Sequence, residues 1–332
     1  MKEKKSTIRK IVEITFLVLI GMVLLFVLGV FIYHKVQLGR ELSELKEHGY
    51  VNLVSVGDHS LNVAIFGKKD GDHTIVGLAG LGISDYSVTG RKMTEVLEER
   101  NAVVFVDRAG FGLSEDTSDP MTLQTIVEEY RLALRNAGLP GPYILMPHSI
   151  GGAYATWWCS RYPEEIEGVV FIDGSQLSEG AFAALAGEEE VSFHDKFSAF
   201  LTRAGFRRFT IDNYLRNYSS VYSPEEQKLG QYLTIRTQGS IAPLSETNLI
   251  YRNTEDAFSG IVTNDVPKLY ICASWGADTD KSRELRENYL QPYLDKMGNC
   301  QLALLPGSHM IYEEKPYECG DLIEEFIDGL EA

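Results

Sequence analysis

The chain has 332 residues, with 31 Lys and Arg against 47 Asp and Glu, a net charge of −16, 44% hydrophobic residues and 23% charged ones. That length holds one α/β domain of up to about 250 residues plus a remainder with a separate purpose, and the composition excludes a largely disordered chain. The negative charge and the lack of any Lys/Arg run with interleaved aromatics exclude a nucleic-acid partner, and four cysteines with no CxxC pair make neither a disulfide scaffold nor a zinc site.

Residues 1–13 form a basic tail, with Lys2, Lys4, Lys5, Arg9 and Lys10 against Glu3 and Glu13. Residues 14–33, ITFLVLIGMVLLFVLGVFIY, carry no charge and no polar face. As a helix, about 20 residues span roughly 30 Å, the thickness of a bilayer's hydrocarbon core. A cleaved signal peptide has an apolar stretch of only about 7–15 residues and a small-x-small cleavage site. This run is longer and ends in Phe31, Ile32 and Tyr33, so it reads as an uncleaved transmembrane anchor. Basic flanks stay cytoplasmic, which predicts a single-pass cell-membrane protein with its body outside the cytoplasm. Setting aside the first 33 residues leaves 26 basic and 45 acidic side chains, a net charge of −19 for that body. Outside the cytoplasm Cys159, Cys272, Cys300 and Cys319 either pair or remain buried thiols.

Residues 34–50 read as a stalk, with a short polar helix over 37–48. The domain then runs from 51 to 330. Residues 51–56 and 61–66 flank Gly-Asp-His-Ser, a hairpin pattern. Short apolar runs at 74–78, 102–106, 143–146 and 169–172 predict buried strands. Between them, helical spacing appears over 84–100 (Met93, Val96, Leu97), over 121–137 up to Gly138, and over 150–162 up to Pro163. Such alternation implies right-handed βαβ units and a mostly parallel, doubly wound sheet. The alternation stops over 176–260, which reads as a cap of several helices rich in Phe and Tyr. It resumes with a strand at 268–272, a helix at 282–297, a strand at 301–305 and a last helix at 316–330.

Three segments carry chemistry. Tyr143-Ile-Leu-Met-Pro-His-Ser149-Ile-Gly-Gly152 runs strand, one sharp turn, helix. A serine at that turn is lifted out of the sheet, small Gly151 permits the close backbone approach, and the N–H of Ile150 opens the helix pointing at any oxyanion. Leu304-Leu-Pro-Gly-Ser-His309 follows the final strand, where a histidine can reach the serine and act as the base a weak hydroxyl nucleophile needs. Ile75-Val-Gly-Leu-Ala-Gly80-Leu81-Gly82 follows an early strand and offers the N–H of Leu81 as second oxyanion donor. No Gly-Lys-Ser/Thr follows, so it is not a phosphate loop.

On these segments the chain resembles the α/β-hydrolase superfamily from about residue 51 to 330, in its form with a helical cap. Asp107-Arg-Ala-Gly-Phe-Gly-Leu-Ser114 and the Gly-Ser-His-x-x-x-x-Glu-Lys-Pro segment match further family patterns. Two departures stand out. Pro147 replaces the first Gly of Gly-x-Ser-x-Gly, and Ala79-Gly80 replaces the family's His-Gly. The family's acid usually follows the seventh strand in Gly-x-x-Asp. Here Thr279 holds that spacing between Asp278 and Asp280, while Asp173 holds the alternative place after the sixth strand. Asp278 is the choice, because it follows Gly276-Ala277 where the chain must turn over the sheet; Asp280 sits beside Lys281 at a helix start.

The resemblance implies a serine hydrolase that cleaves an ester or related acyl bond through an acyl-enzyme on Ser149, needing no metal or organic cofactor. The cap aromatics suggest an apolar acyl or aromatic substrate, while most of them pack the cap helices together. A serine nucleophile argues against the dehalogenase and epoxide-hydrolase branches, which use Asp. The competing classes are a non-catalytic binding protein that keeps the fold, and an acyltransferase or peptidase using the same three residues.

Overall fold

The computed structural model describes residues 2–187, 191–209, 211, 220–237, 239–274 and 279–330. The strands are β1 (Leu53–Ser55), β2 (Ser60–Gly67), β3 (Thr74–Leu78), β4 (Ala102–Val106), β5 (Tyr143–Pro147), β6 (Ile166–Ile172), β7 (Lys268–Ala273) and β8 (Cys300–Leu305). They form one sheet in the order β1-β2-β4-β3-β5-β6-β7-β8. β2 runs antiparallel to both β1 and β4, and every other pairing is parallel. The path steps from β3 to β4 on one side, then back across β3 to β5 on the other. That reversal opens a crevice at the carboxyl ends of β3 and β5, where ligands of open α/β sheets bind.

The helices are α1 (Lys2–Glu47), α2 (Tyr86–Thr89), α3 (Leu123–Asn136), α4 (Gly151–Arg161), α5 (Phe193–Arg203), α6 (Pro224–Thr237), α7 (Ala242–Asn248), α8 (Ile250–Ser259), α9 (Asp280–Met297), α10 (Ile311–Glu314) and α11 (Pro316–Leu330). Successive strand residues point to opposite faces. Val76, Val104, Leu145 and Val169 therefore meet α3, α4 and α9, while Ile75, Val103, Ile144 and Val170 meet α2 and α11. Helix α3 shows why such a segment becomes a helix. Thr122 caps it by accepting the Thr125 N–H at 3.1 Å, and Leu123, Ile126, Val127, Tyr130, Ala133 and Leu134 form one buried stripe. Its Tyr130 stacks on the fully buried Trp158 of α4, a ring whose burial contributes roughly 1.5–3 kcal/mol.

The expected single helix over 84–100 is instead α2 followed by 3-10 turns at Arg91–Met93 and Glu95–Glu99. Gly90 sits where the Tyr86 ring crosses the backbone; a Cβ there would lie 2.6 Å from the ring. Met93 and Leu97 are still buried, so their spacing reports the packed face and not a continuous helix. All four cysteines are free thiols, and Cys159, Cys272 and Cys319 are buried. Helix α1 is one unbroken helix through both the apolar run and the expected stalk. Ile14, Leu17, Leu24 and Leu25 are all more than half exposed on it, whereas Leu45 near its end is fully buried in the domain.

Candidate active site

Ser149 stands between the end of β5 and the start of α4 with φ +51°, a left-handed conformation that a β-substituted residue adopts only when its surroundings enforce it. Three contacts do so. The Ser175 N–H donates to the Ser149 carbonyl at 2.7 Å, the His148 N–H to that of Leu78 at 2.9 Å, and Gly151 passes so close to β3 that a Cβ would lie 2.4 Å from the Leu78 oxygen. Pro147 is simply the last residue of β5, paired with Leu78 in the parallel register, so the missing glycine leaves the turn intact.

His309, on the loop between β8 and α10, brings Nε2 to 2.8 Å from Ser149 Oγ. Its Nδ1 lies 2.6 Å from Oδ2 of Asp173. Asp173 follows β6 directly and is 1% exposed, with φ +41°. Its second oxygen accepts the Ala273 N–H at 2.9 Å, and Nη2 of Arg286 lies 3.6 Å away. A buried carboxylate held by this many donors stays where the histidine needs it.

Asp278, the acid expected from sequence, lies outside the described residues. The partner of His309 is Asp173, which the spacing argument ranked behind it. Asp280 is the exposed first residue of α9, with the charge placement of a helix N-terminus. The physical reason for Asp173 is the sheet order. β6 neighbours the elbow strand β5, so the residue leaving its end already stands beside Ser149, and the isolated bridge between His148 and Ile172 fixes that proximity.

Of the expected oxyanion donors, Ile150 directly follows Ser149 and Leu81 follows Gly80, which packs against Ser149. Among the described residues no acceptor takes either N–H. Gly80 packs so tightly on the elbow that a Cβ would meet Ser149 Cβ at 3.0 Å and His148 Nδ1 at 2.7 Å. The loop's other side is held by Arg108 of the Asp107–Ser114 segment, whose Nη1 and Nη2 donate to the carbonyls of Ala79 and Gly80 at 2.7 and 2.9 Å. Arg108 is itself buried against Glu246 of α7, with Nε to Oε2 at 2.9 Å. With those carbonyls turned to Arg108, the N–H groups that follow are free to face the crevice. Asp107 keeps its own loop closed, with Oδ2 accepting from Leu113 N–H and Asn62, and burial pushes it up to about 7.

Two residues of this site were not picked out by sequence reasoning. His148 sits under the His309 ring, and Arg286 reaches from α9 to Asp173, the Ala273 carbonyl and Gln176. The first was visible as a histidine beside the nucleophile; the second left no local signal. A cavity of about 240 Å³ opens on Ser149 and His309, walled by Gln176, Phe182, Arg286 and Tyr289.

The sheet order, the serine at a left-handed strand-to-helix turn and the histidine after the last strand define an α/β hydrolase scaffold. The chain belongs to the alpha/beta hydrolase fold family, whose profile matches residues 75–274. Along nearly its whole length it is similar to the protein YbdG of Bacillus subtilis, 29% identical over 341 residues covering 97% of this chain and 98% of that one. Among solved structures it shares its fold with the enol-lactonase of Burkholderia xenovorans (TM-score 0.59, 18% identity, 83% of this chain and 100% of that one). An epoxide hydrolase of Bacillus megaterium is similar to the same degree (TM-score 0.59, 17% identity, 83% and 100%). A lactonase and an epoxide hydrolase on one scaffold show that the fold leaves the reaction open, and the site residues must decide it.

Proposed function

We propose that this protein is a serine hydrolase that cleaves an ester or related acyl bond through an acyl-enzyme on Ser149, with Asp173 in place of Asp278 as its acid. The observation that carries the reading is the unbroken line from Asp173 Oδ2 through His309 to Ser149 Oγ, at 2.6 and 2.8 Å. His309 Nε2 takes the Ser149 proton as Oγ attacks the carbonyl carbon. The carbonyl oxygen becomes an oxyanion received by the N–H groups of Leu81 and Ile150. His309 returns the proton to the departing alcohol, and Asp173 stabilises the imidazolium between the two transfers. A water deprotonated by His309 then attacks the acyl carbon, and Ser149 leaves with the proton. A serine in the nucleophile's place favours acyl chemistry over the epoxide opening of one structural neighbour.

The anchor belongs to the same reading. The exposed apolar stretch of α1 is long enough to cross a bilayer, and its basic N-terminal flank favours a cytoplasmic N-terminus with the catalytic domain outside. Phe182 and Tyr289 on the cavity wall favour a small apolar acyl group.

The experiment is turnover of p-nitrophenyl butyrate by the full-length chain. An acyl-enzyme path predicts a burst of one nitrophenolate per active site when deacylation is the slower step, with burst and turnover both lost in a folded Ser149→Ala variant. Equal turnover by that variant would remove Ser149 from the chemistry.

A further inference from the structure

Helix α1 does not part from the domain where its apolar run ends. Val30 and His34 are buried, at 7% and 5% exposure, and Glu41 and Leu45 continue that stripe at helical spacing. What covers the upper part is the cap. Gly205 lies against α1 so closely that a Cβ would be 2.5 Å from His34 Cβ and 3.4 Å from the Val30 oxygen. The ring of Phe206 meets that of Phe26 at 6.3 Å between centroids. Below them Arg208 clamps the helix, donating to both Glu41 oxygens at 2.6 and 2.9 Å and to His34 Nδ1 at 2.7 Å.

These contacts have a depth. Phe26 lies seven residues before Tyr33, the end of the apolar run, which is about 10 Å along the helix axis. A leaflet's hydrocarbon is only about 15 Å thick. If residues 14–33 cross a bilayer, a cap segment touching Phe26 is already inside that leaflet.

The cap surface at this level suits such a place. On α5, Phe193, Phe197, Phe200 and Leu201 are 84%, 52%, 59% and 38% exposed and follow i, i+4, i+7, i+8, one face of the helix; Ala199 is buried on the other side. Phe209 adds another ring at 59% exposure. Outside α1, every phenylalanine exposed to this degree lies between 193 and 209. A soluble domain does not gather its exposed phenylalanines on one short segment without a partner. The patch is continuous with the apolar helix, because Phe200 and Phe31 wall the same groove between α5 and α1.

We propose that residues 193–209 of the cap are seated in the bilayer that α1 crosses, with Phe193, Phe197, Phe200 and Phe209 among the acyl chains of the leaflet at the C-terminal end of the span. The occupant of this apolar face is the phospholipid leaflet. The inference rests on the anchor reading above and adds that the cap, not the anchor alone, binds lipid. It has a consequence for substrate. The inward side of α5, at Ala199 and Thr202, lines a cavity of about 310 Å³ whose opposite wall includes Gly82, next to the Leu81 donor. One helix then separates the lipid phase from the loop that carries Leu81, which suits an apolar ester dissolved in the membrane.

The test uses the full-length chain reconstituted into phosphatidylcholine vesicles containing a phosphatidylcholine with a diazirine midway along one acyl chain. After irradiation, lipid adducts are mapped by peptide mass spectrometry. The expected result is adducts both within 14–33 and within 193–209. Adducts within 14–33 but none within 193–209, with Phe193, Phe197 and Phe200 oxidised by hydroxyl radicals as readily as in detergent-free water, would overturn the inference and leave the anchor standing. No adducts in either segment would overturn both.

Discussion

His148 donates from Nε2 to the main-chain oxygen of His309 at 3.0 Å, and the two rings lie 4.7 Å apart. A carbonyl can only accept, so Nε2 carries the proton and Nδ1 is bare. Burial, and then the charge of His309 beside it, lower His148 to about 3, so it stays neutral near pH 7. In the mechanism proposed above, His148 thus braces the base His309 without competing for its proton. Losing the brace frees the His309 backbone, and a misplacement of about 1 Å costs on the order of 10²-fold in rate. His148→Ala should lower kcat by about that factor, and His148→Gln, whose amide can donate to the same oxygen, should recover part of it. Steady-state kinetics on p-nitrophenyl butyrate checks both.

The acid is tested by comparing Asp173→Asn, Asp278→Asn and Asp280→Asn on one ester. Asp173→Asn should lower kcat by up to about 10⁴, because the imidazole loses both its orientation and its compensating charge. The other two should change it far less. A collapse at Asp278 alone would return the role to the residue the sequence spacing favoured.

Arg108 and Glu246 form a buried ion pair, each side chain 1% exposed, and Glu246 also accepts from Tyr154 Oη. Removing one partner of such a pair leaves a charge buried and costs about 3–5 kcal/mol. Glu246→Gln should therefore lower the urea midpoint by that equivalent. Arg108→Lys keeps the charge but loses the two-pronged hold on the Ala79 and Gly80 carbonyls. It should lower kcat more than it raises KM, since Arg108 holds the loop that carries the proposed oxyanion donor Leu81. Equal kcat in a folded Arg108→Lys variant would confine Arg108 to stability.

Asp85 and Glu313 are both buried, close enough for their charges to interact. Burial and then the charge of Glu313 raise Asp85 to about 8, and burial raises Glu313 to about 7. The folded state therefore keeps protons that the unfolded chain releases near pH 4. Their stabilisation is full below about pH 4 and is lost as pH rises through the folded values, by up to about 1.4 kcal/mol per pH unit for each group. His148 acts in the opposite sense and only below its unfolded value of 6.5. Between pH 6.5 and 8 the melting temperature should fall, and Asp85→Asn should flatten that fall. An unchanged slope in the variant would mean that Asp85 ionises freely.

The parallel sheet, the strand-to-helix turn at Ser149 and the place of His309 beside it were legible because each is written locally: apolar runs bounded by turn residues, a serine between strand and helix, a histidine after the last strand. Asp173 was visible as a candidate behind Asp278, and it is the carboxylate that lies against His309. Its advantage comes from β6 lying next to β5, and strand order in space cannot be read from spacing along the chain. Arg108 stood inside a recognised motif, yet its hold on the oxyanion loop needs Glu246, 138 residues away. The cap's relation to α1 was the least legible. Gly205, Phe206 and Arg208 find their partners on a helix more than 160 residues earlier, and no periodicity in either segment announces the other.

The central claim is that Ser149 is the nucleophile of a working hydrolase, and the most direct measurement is the intact mass of the full-length protein after reaction with a fluorophosphonate. The account predicts one adduct per chain, mapped by peptide sequencing to Ser149, absent from Ser149→Ala and formed far more slowly in His309→Ala. An unmodified folded wild-type protein, or an adduct on another residue that persists in Ser149→Ala, would contradict it.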